Sequence, residues 1–119
     1  MVARRTPPRN RRNAALDRTF AALADPTRRA IVASLSRGPA TVGKVARPFE
    51  ISLYGVSKHV RVLERAGLVR REVRGREHHL RLRAAPLRAA ARWAEEYAHF
   101  WEERLDALER HLEEDPDGD

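Results

Sequence analysis

The hydrophobic pattern of this 119-residue chain changes period twice, and no other feature restricts its fold as strongly. Apolar residues recur at helical spacing up to Leu63, alternate between Val69 and Leu82, and return to helical spacing from Leu87 onward. Helices, one hairpin and a long final helix make a mainly α chain with a small β-hairpin, an α+β arrangement. In the first segment Leu16, Phe20, Leu23 and Ala24 share a face, and that helix stops at Ala24-Asp25-Pro26. Asp is a favoured N-cap and Pro a favoured first helical residue, so a second helix starts there, with Ala30, Ile31, Ser34 and Leu35 inward, and ends at Gly38-Pro39. Thr41 caps a third helix from Val42 to about Phe49, with Val42, Val45, Ala46 and Phe49 inward and Pro48 in its last turn. After Glu50 and Ile51, Ser52 opens a fourth, whose Leu53, Val56, Val60 and Leu63 share a face.

Two helices joined by so tight a turn form a helix-turn-helix. The outer face of the second carries Tyr54, Ser57, Lys58, Arg61 and Arg65, a polar and basic stripe suited to base edges and phosphates. An ordinary solvated face has the same composition, so the stripe alone does not decide between the two. Gly67 can end the helix in a left-handed conformation. Placing Gly75-Arg76 as a two-residue turn pairs Val69 with Leu82, Arg71 with Leu80 and Val73 with His78 on one face. The other face pairs Arg70 with Arg81, Glu72 with His79 and Arg74 with Glu77. A hairpin after a helix-turn-helix makes a winged helix, with Arg74 and Arg76 at the wing tip, within reach of a sugar-phosphate backbone.

From Pro86 to about Glu113 one helix carries a heptad seam: Leu87, Ala91, Ala94, Ala98, Trp101, Leu105, Leu108 and Leu112. Trp93, Tyr97 and Phe100 widen it, more apolar surface than one small winged domain can cover. Composition agrees. Of 50 hydrophobic residues 19 are Ala, leaving 31 larger side chains for a chain whose size already makes its core marginal, so a homodimer sharing that core is expected.

Charge is divided along the chain. Residues 1–83 carry 20 basic against 6 acidic side chains, and residues 84–119 carry 4 against 11. A net of +14 followed by −7 points to a polyanion as partner, nucleic acid or an acidic membrane surface. Arg supplies 22 of the 24 basic residues, which a GC-rich genome explains as readily as phosphate recognition does. Residues 1–15, with five Arg, two Pro and no acid, read as a disordered basic arm; 16–114 form the winged domain, and 115–119 an acidic tail. With no apolar run long enough to span a bilayer and no apolar stretch behind the basic N-terminus, a cytoplasmic protein without membrane partner is expected. The absence of Cys excludes disulfides, thiolate metal ligands and cysteine nucleophiles. There is no Gly-rich phosphate loop, G-x-S-x-G or H-E-x-x-H, so neither an enzyme nor a cofactor is expected. An RNA-binding module is compatible with the charge, yet the aromatic residues lie at core spacing on helices and not on a strand platform.

The stretches LDRTFAALADPTRRAIVASLSRGPATVGKVA, SLYGVSKHVRVLERAGLVRREVRGREHHLRL and HFWEERLDALERHLEE, in this order over residues 16–114, resemble the ArsR (ArsR/SmtB-like) family of bacterial winged helix-turn-helix transcriptional regulators. The resemblance implies a homodimeric repressor, or autorepressor, bound to a double-stranded DNA operator, its inducing ligand unspecified. It implies pairing of first and last helices between subunits through Leu16, Phe20, Leu87, Ala94, Trp101, Leu105 and Leu108. By matching positions it implies DNA contacts at Ser52, Ser57, Lys58, His59 and Arg61, to which the basic stripe adds Tyr54 and the wing Arg74 and Arg76. The sequence departs from the family at Tyr54-Gly55, where relatives commonly carry Pro-Ala or another small pair. Many members sense metals, but no cysteine site exists here. The last-helix pattern is a near miss: Tyr97-Ala98-His99 and His111-Leu112-Glu113-Glu114 have Tyr in place of Asp and a spacing one residue too long. No metal is expected; a metal-responsive repressor using His99, His111 and Glu114 is the alternative.

Overall fold

The computed structural model describes residues 8–114, in the order α1 (Pro8–Leu23), α2 (Pro26–Leu35), β1 (Ala40–Thr41), α3 (Val42–Ala46), α4 (Leu53–Arg65), β2 (Val69–Arg74), β3 (Glu77–Leu82) and α5 (Ala84–Glu114). The expected acidic tail and the first seven residues of the expected arm lie outside the described residues. The rest of the arm needs correcting: helical backbone begins at Pro8, not near Leu16. Residues 9–15 contain no helix breaker, and Pro8 takes the first position, where a missing N–H forfeits no helical bond.

Local chemistry sets the helix boundaries. The Asp25 carboxylate accepts the Arg28 N–H at 3.0 Å, Thr41 Oγ1 accepts that of Lys44 at 3.2 Å, and Ser52 Oγ accepts that of Gly55 at 3.0 Å, so all three N-caps stand where the side chains require them. Helix α3 is shorter than expected and stops at Ala46: Arg47 keeps helical backbone as its C-cap, but Pro48 has no N–H with which to continue the ladder. Phe49 nevertheless remains half-buried against the core. At the end of α4, Gly67 adopts φ 77°, its N–H reaches Glu64 O at 3.0 Å, and the Leu68 N–H reaches Leu63 O at 2.9 Å. That 6→1 and 5→2 pair turns the chain sharply and buries Leu63 and Leu68 together.

Strands β2 and β3 pair in the expected register, from Val69 with Leu82 to Arg74 with Glu77. Gly75 alone in the turn has positive φ, at 61°, as a Gly-first two-residue turn requires. Strand β1 has no counterpart in the sequence pattern. Its Ala40 and Thr41 add to the other edge of β3, opposite Leu80 and His79, but two residues are too few to show alternation.

The core is Ile31 and Leu35 of α2, Val45 of α3, Val56, Val60 and Leu63 of α4, Leu68, Val69 and Leu80. Several assignments change: Ala24 and Ala30, small residues at the margins of their stripes, are exposed. Leu53 is 57% exposed, at the mouth of the α3–α4 turn. On α1 the fully buried positions are Thr19 and Ala22, whereas Phe20 is 40% exposed. Small side chains let α1 approach the body closely, and the Thr19 hydroxyl stays satisfied by donating to Ala15 O at 3.1 Å. On α5 the buried residue is Ala90, and Leu87, expected at the subunit interface, packs on the core of its own chain. Beyond Ala90 the helix leaves the body and helps extend the molecule to 71 Å in its longest dimension. Among the described residues no helix is long and apolar enough to cross a membrane.

Candidate nucleic-acid interface

Because Val56, Val60 and Leu63 anchor one face of α4 in the core, the opposite face is presented outward. Tyr54, Lys58 and Arg61 are exposed on it, and Lys58 Nζ lies 5.3 Å from the centre of the Tyr54 ring, one helical turn away. The ammonium over the ring makes a cation–π pair whose edge and charge face solvent together. Ser57 is half-buried and lines, with Leu53, Thr41 and the wing residues Arg76 and His78, a groove of about 480 Å³ between the start of α4 and the hairpin. Ser52 is committed by its cap to the Gly55 N–H, leaving the rest of its hydroxyl capacity outward.

His59, which the family resemblance implied as a DNA contact, faces the body. Its Nδ1 lies 3.2 Å from Arg28 Nη1 and 3.8 Å from Asp25 Oδ2. A guanidinium only donates, so Nδ1 of the neutral ring accepts from it, whereas the protonated ring has its charge beside the Asp25 carboxylate. Arg28 also donates from Nε to Ala22 O at 2.6 Å and from Nη2 to Ala21 O at 3.2 Å, tying the end of α1 to α2 and α4. The Arg28 N–H at its carboxylate, aided by His59 and the Arg28 side chain, holds Asp25 below the usual carboxylate range. A sequence signal for this placement exists: His59 stands three residues after Val56 and four before Leu63, on the edge of the buried stripe.

At the wing, Arg74 and Arg76 both reach the tip, but unequally. Arg74 is paired with Glu72 at 3.2 Å, and this hydrogen bond holds the Glu72 carboxyl below its ordinary range. Behind the tip, Arg71 grips both Glu64 oxygens, Nη2 to Oε1 at 2.7 Å and Nε to Oε2 at 3.3 Å, and its Nη1 donates to His78 Nδ1 at 2.9 Å. The hairpin pattern places Arg71 on the inner face without assigning it a partner. A guanidinium opposite Leu80 on a mostly apolar face is the signal that one is needed.

On α5 the apolar stripe remains uncovered. Phe20 meets Trp93 edge to face at 5.3 Å between ring centres, and Tyr97, Phe100 and Trp101 continue the row. Trp101, Leu105, Leu108 and Leu112 are each more than half exposed. His99 lies 3.2 Å from Glu103, one turn along the same helix. The twelve-residue step from His99 to His111 corresponds to roughly 18 Å of helix rise, so the two cannot share an ion within one chain. Among the described residues, no three His, Asp or Glu side chains are grouped to hold a metal.

Residues 23–72 match the model of a helix-turn-helix domain family. The chain is 53% identical over 53 residues to the HTH-type transcriptional regulator Rv2034 of Mycobacterium tuberculosis, a match covering 44% of this chain and about half (50%) of that protein's length. It is 31% identical over 78 residues to the transcriptional repressor SdpR of Bacillus subtilis, covering 66% of this chain and 87% of that one. A crystal structure of an ArsR family transcriptional regulator superposes with a TM-score of 0.71 at 41% identity, over 76% of this chain and 93% of that chain. The solution structure of a homodimeric winged helix-turn-helix DNA-binding domain, Mb0332 from Mycobacterium bovis, shares the fold at a TM-score of 0.63 and 23% identity, over 89% and 95% of the two chains.

Proposed function

The chain belongs to the ArsR family of winged helix-turn-helix transcriptional regulators, and on that premise we propose that it is a homodimeric repressor of a two-fold symmetric duplex operator. It is a regulator of transcription with a helix-turn-helix DNA-binding domain, not an enzyme. One observation carries the finer reading: the outward face of α4, with Tyr54, Lys58 and Arg61, stands beside the groove it shares with Arg76 of the wing. A helix and a flanking basic hairpin at one groove suit a major-groove reader with a backbone clamp beside it. Tyr54, Ser57, Lys58 and Arg61 read bases, Ser52 and the wing arginines hold phosphates, and His59 acts from behind by fixing α4 against α2.

Dimerisation through α5, with Phe20 of α1 contributing, is supported by the exposed row from Trp93 to Leu112, a surface too apolar and continuous to stay wet. The homodimeric Mb0332 domain and the repressor SdpR are consistent with this assembly and with repression. The Cys-free sequence supports regulation without a cysteine metal site, and the spacing of His99 and His111 argues against a chelate within one chain. Selection of duplexes from a random-sequence pool, followed by footprinting, tests the proposal. The expected footprint is two-fold symmetric, with half-sites about one helical turn or a multiple apart. An asymmetric footprint, or equal affinity for single-stranded RNA of the same length, would overturn it.

A further inference from the structure

We propose that Arg71 is a positioning residue for DNA recognition: it sets the wing at a fixed angle to α4 so that Arg76 and the outward face of α4 engage one duplex together. This rests on the DNA-binding reading above and adds a residue that reading does not use. A wing tip is a two-residue turn at the end of two six-residue strands, with Val73, Arg74, Glu77 and His78 all exposed. Strand pairing fixes β2 to β3 but does nothing to fix the outer half of the hairpin against the helix. Apolar packing anchors its inner half, through Val69, Leu80 and Leu82, and β1 pairs with β3 only as far out as Leu80 and His79. Arg71 bridges the gap. Its guanidinium takes both oxygens of Glu64 in the last turns of α4 and, from its remaining nitrogen, the Nδ1 of His78 across on β3. Helix and both strands thus meet on one planar group.

The geometry suits the role. A bidentate, half-buried guanidinium–carboxylate pair restricts direction as well as distance, which a single point contact does not. Arg71 and Arg76 line the same groove as Leu53 and Ser57 at the start of α4, so a tilt of the hairpin about Arg71 moves Arg76 relative to the helix. The neighbouring pair differs. Arg74 and Glu72 lie two residues apart on one strand and are 59% exposed, so their contact cannot orient the hairpin against anything else.

The test is a double-mutant cycle on a duplex selected from a random pool by the wild-type chain, with circular dichroism to check folding. Arg76→Ala should weaken binding about tenfold at low salt and shallow the salt dependence by about one phosphate contact per subunit. Arg71→Ala should do the same, and the double variant should bind no worse than either single one, since a wing that no longer reaches the backbone has no further affinity to give up. Arg71→Lys should fail like Arg71→Ala, because an ammonium cannot span both Glu64 oxygens and His78. Glu64→Gln, which leaves the hairpin sequence intact, should reproduce the loss from the helix side. Losses that multiply to about a hundredfold, or wild-type binding by Arg71→Lys, would mean that Arg71 acts on DNA by its own charge, and the proposal falls. Should the wild-type chain select no duplex at all, the DNA-binding reading fails first and this one with it. Multiplying losses in a chain that does select one overturn this inference alone.

Discussion

The apolar faces of α4 and of the outer half of α5 recur at the same helical spacing, yet they end in opposite environments. Val56, Val60 and Leu63 are fully buried, whereas Trp101, Leu105 and Leu108 are exposed by 55, 56 and 52%. The difference lies in what surrounds them. Helix α4 is covered by α1, α2, α3, β2 and Leu68 of its own chain, while among the described residues α5 after Ala90 has only α1 beside it and then nothing. Periodicity therefore says that a face must be covered, and not by which chain. An interior in this small domain and an interface between two of them are the same pattern at two levels of assembly.

Charging the outer half of α5 should separate the two regions most strongly. Trp101→Glu with Leu105→Glu should leave the monomer folded, because both positions are already more than half exposed in it. Buried in a dimer, each carboxylate is expected to cost several kcal/mol, and symmetry doubles the number. Sedimentation should show a folded monomer and operator affinity should collapse. A folded dimer with unchanged affinity would move the interface elsewhere.

The converse change belongs in the body. Leu80 is fully buried on β3 and meets α2, α3 and α4 through the core, so Leu80→Ala should cost about 2–5 kcal/mol of unfolding free energy. Urea titration measures it. The self-association of whatever fraction remains folded should not change, since Leu80 lies in the body and not on the outer half of α5. If the dimer weakens in proportion to the reduced stability, body and outer helix are one cooperative unit and the distinction dissolves.

Within the body, the two basic surfaces sharpen a smaller contrast. Ser57→Ala with Lys58→Ala should narrow the gap between operator and random duplex by about 1–3 kcal/mol for each good hydrogen-bonded base interaction removed. Arg74→Ala with Arg76→Ala should weaken both duplexes together and shallow the salt dependence. Much of that effect should come from Arg76, because Arg74 must first leave Glu72. Titrations at several salt concentrations separate the outcomes. A wing variant that loses sequence preference while the helix variant keeps it would make the hairpin the reader.

How much of this was legible depended on how local the cause was. Asp25, Thr41, Ser52 and Gly67 act within a few residues of themselves, and the helix boundaries they set were readable, as was the hairpin register around Gly75. The outward stripe of α4 was readable for the same reason. What failed involved partners distant in sequence or too small to leave a pattern. His59 was placed at the DNA by the family resemblance alone; its spacing sets it on the edge of the buried stripe, but the partner it meets there, Arg28, stands 31 residues earlier and leaves no local signal. Leu53 keeps helical spacing with Val56 but stands one turn beyond the cover that α3 provides. On α1 the large residues Leu16 and Phe20 dominate the hydrophobic pattern, while Thr19 and Ala22 pack closely because they are small. Strand β1 is two residues long, and Leu87, though in register with the seam, lies before the point where α5 leaves the body.

The smallest expected effect lies at Asp25 and marks the boundary between the two regions chemically. Its carboxyl titrates below the ordinary carboxylate range, first because the Arg28 N–H donates to it, then because His59 and the Arg28 side chain favour its charged form. A folded-state value below the unfolded one means that the native protein holds this proton less tightly. The stabilisation is therefore complete above the unfolded carboxylate range and fades as pH falls through the lower folded value. Asp25→Asn keeps a cap acceptor and removes the charge, while Asp25→Ala removes both, so at neutral pH the melting temperature should fall in the order wild type, Asn, Ala. The gap between wild type and Asn should close as the pH is lowered through the carboxylate range, while the Ala variant stays lowest. Because the charge acts on the junction of α1, α2 and α4, the dimer dissociation constant at neutral pH should be the same for all three proteins. A dissociation constant that follows the melting temperature would show that the junction held by Arg28 transmits strain along α1 into the α5 interface, and the two regions would then be coupled through Phe20 and Trp93.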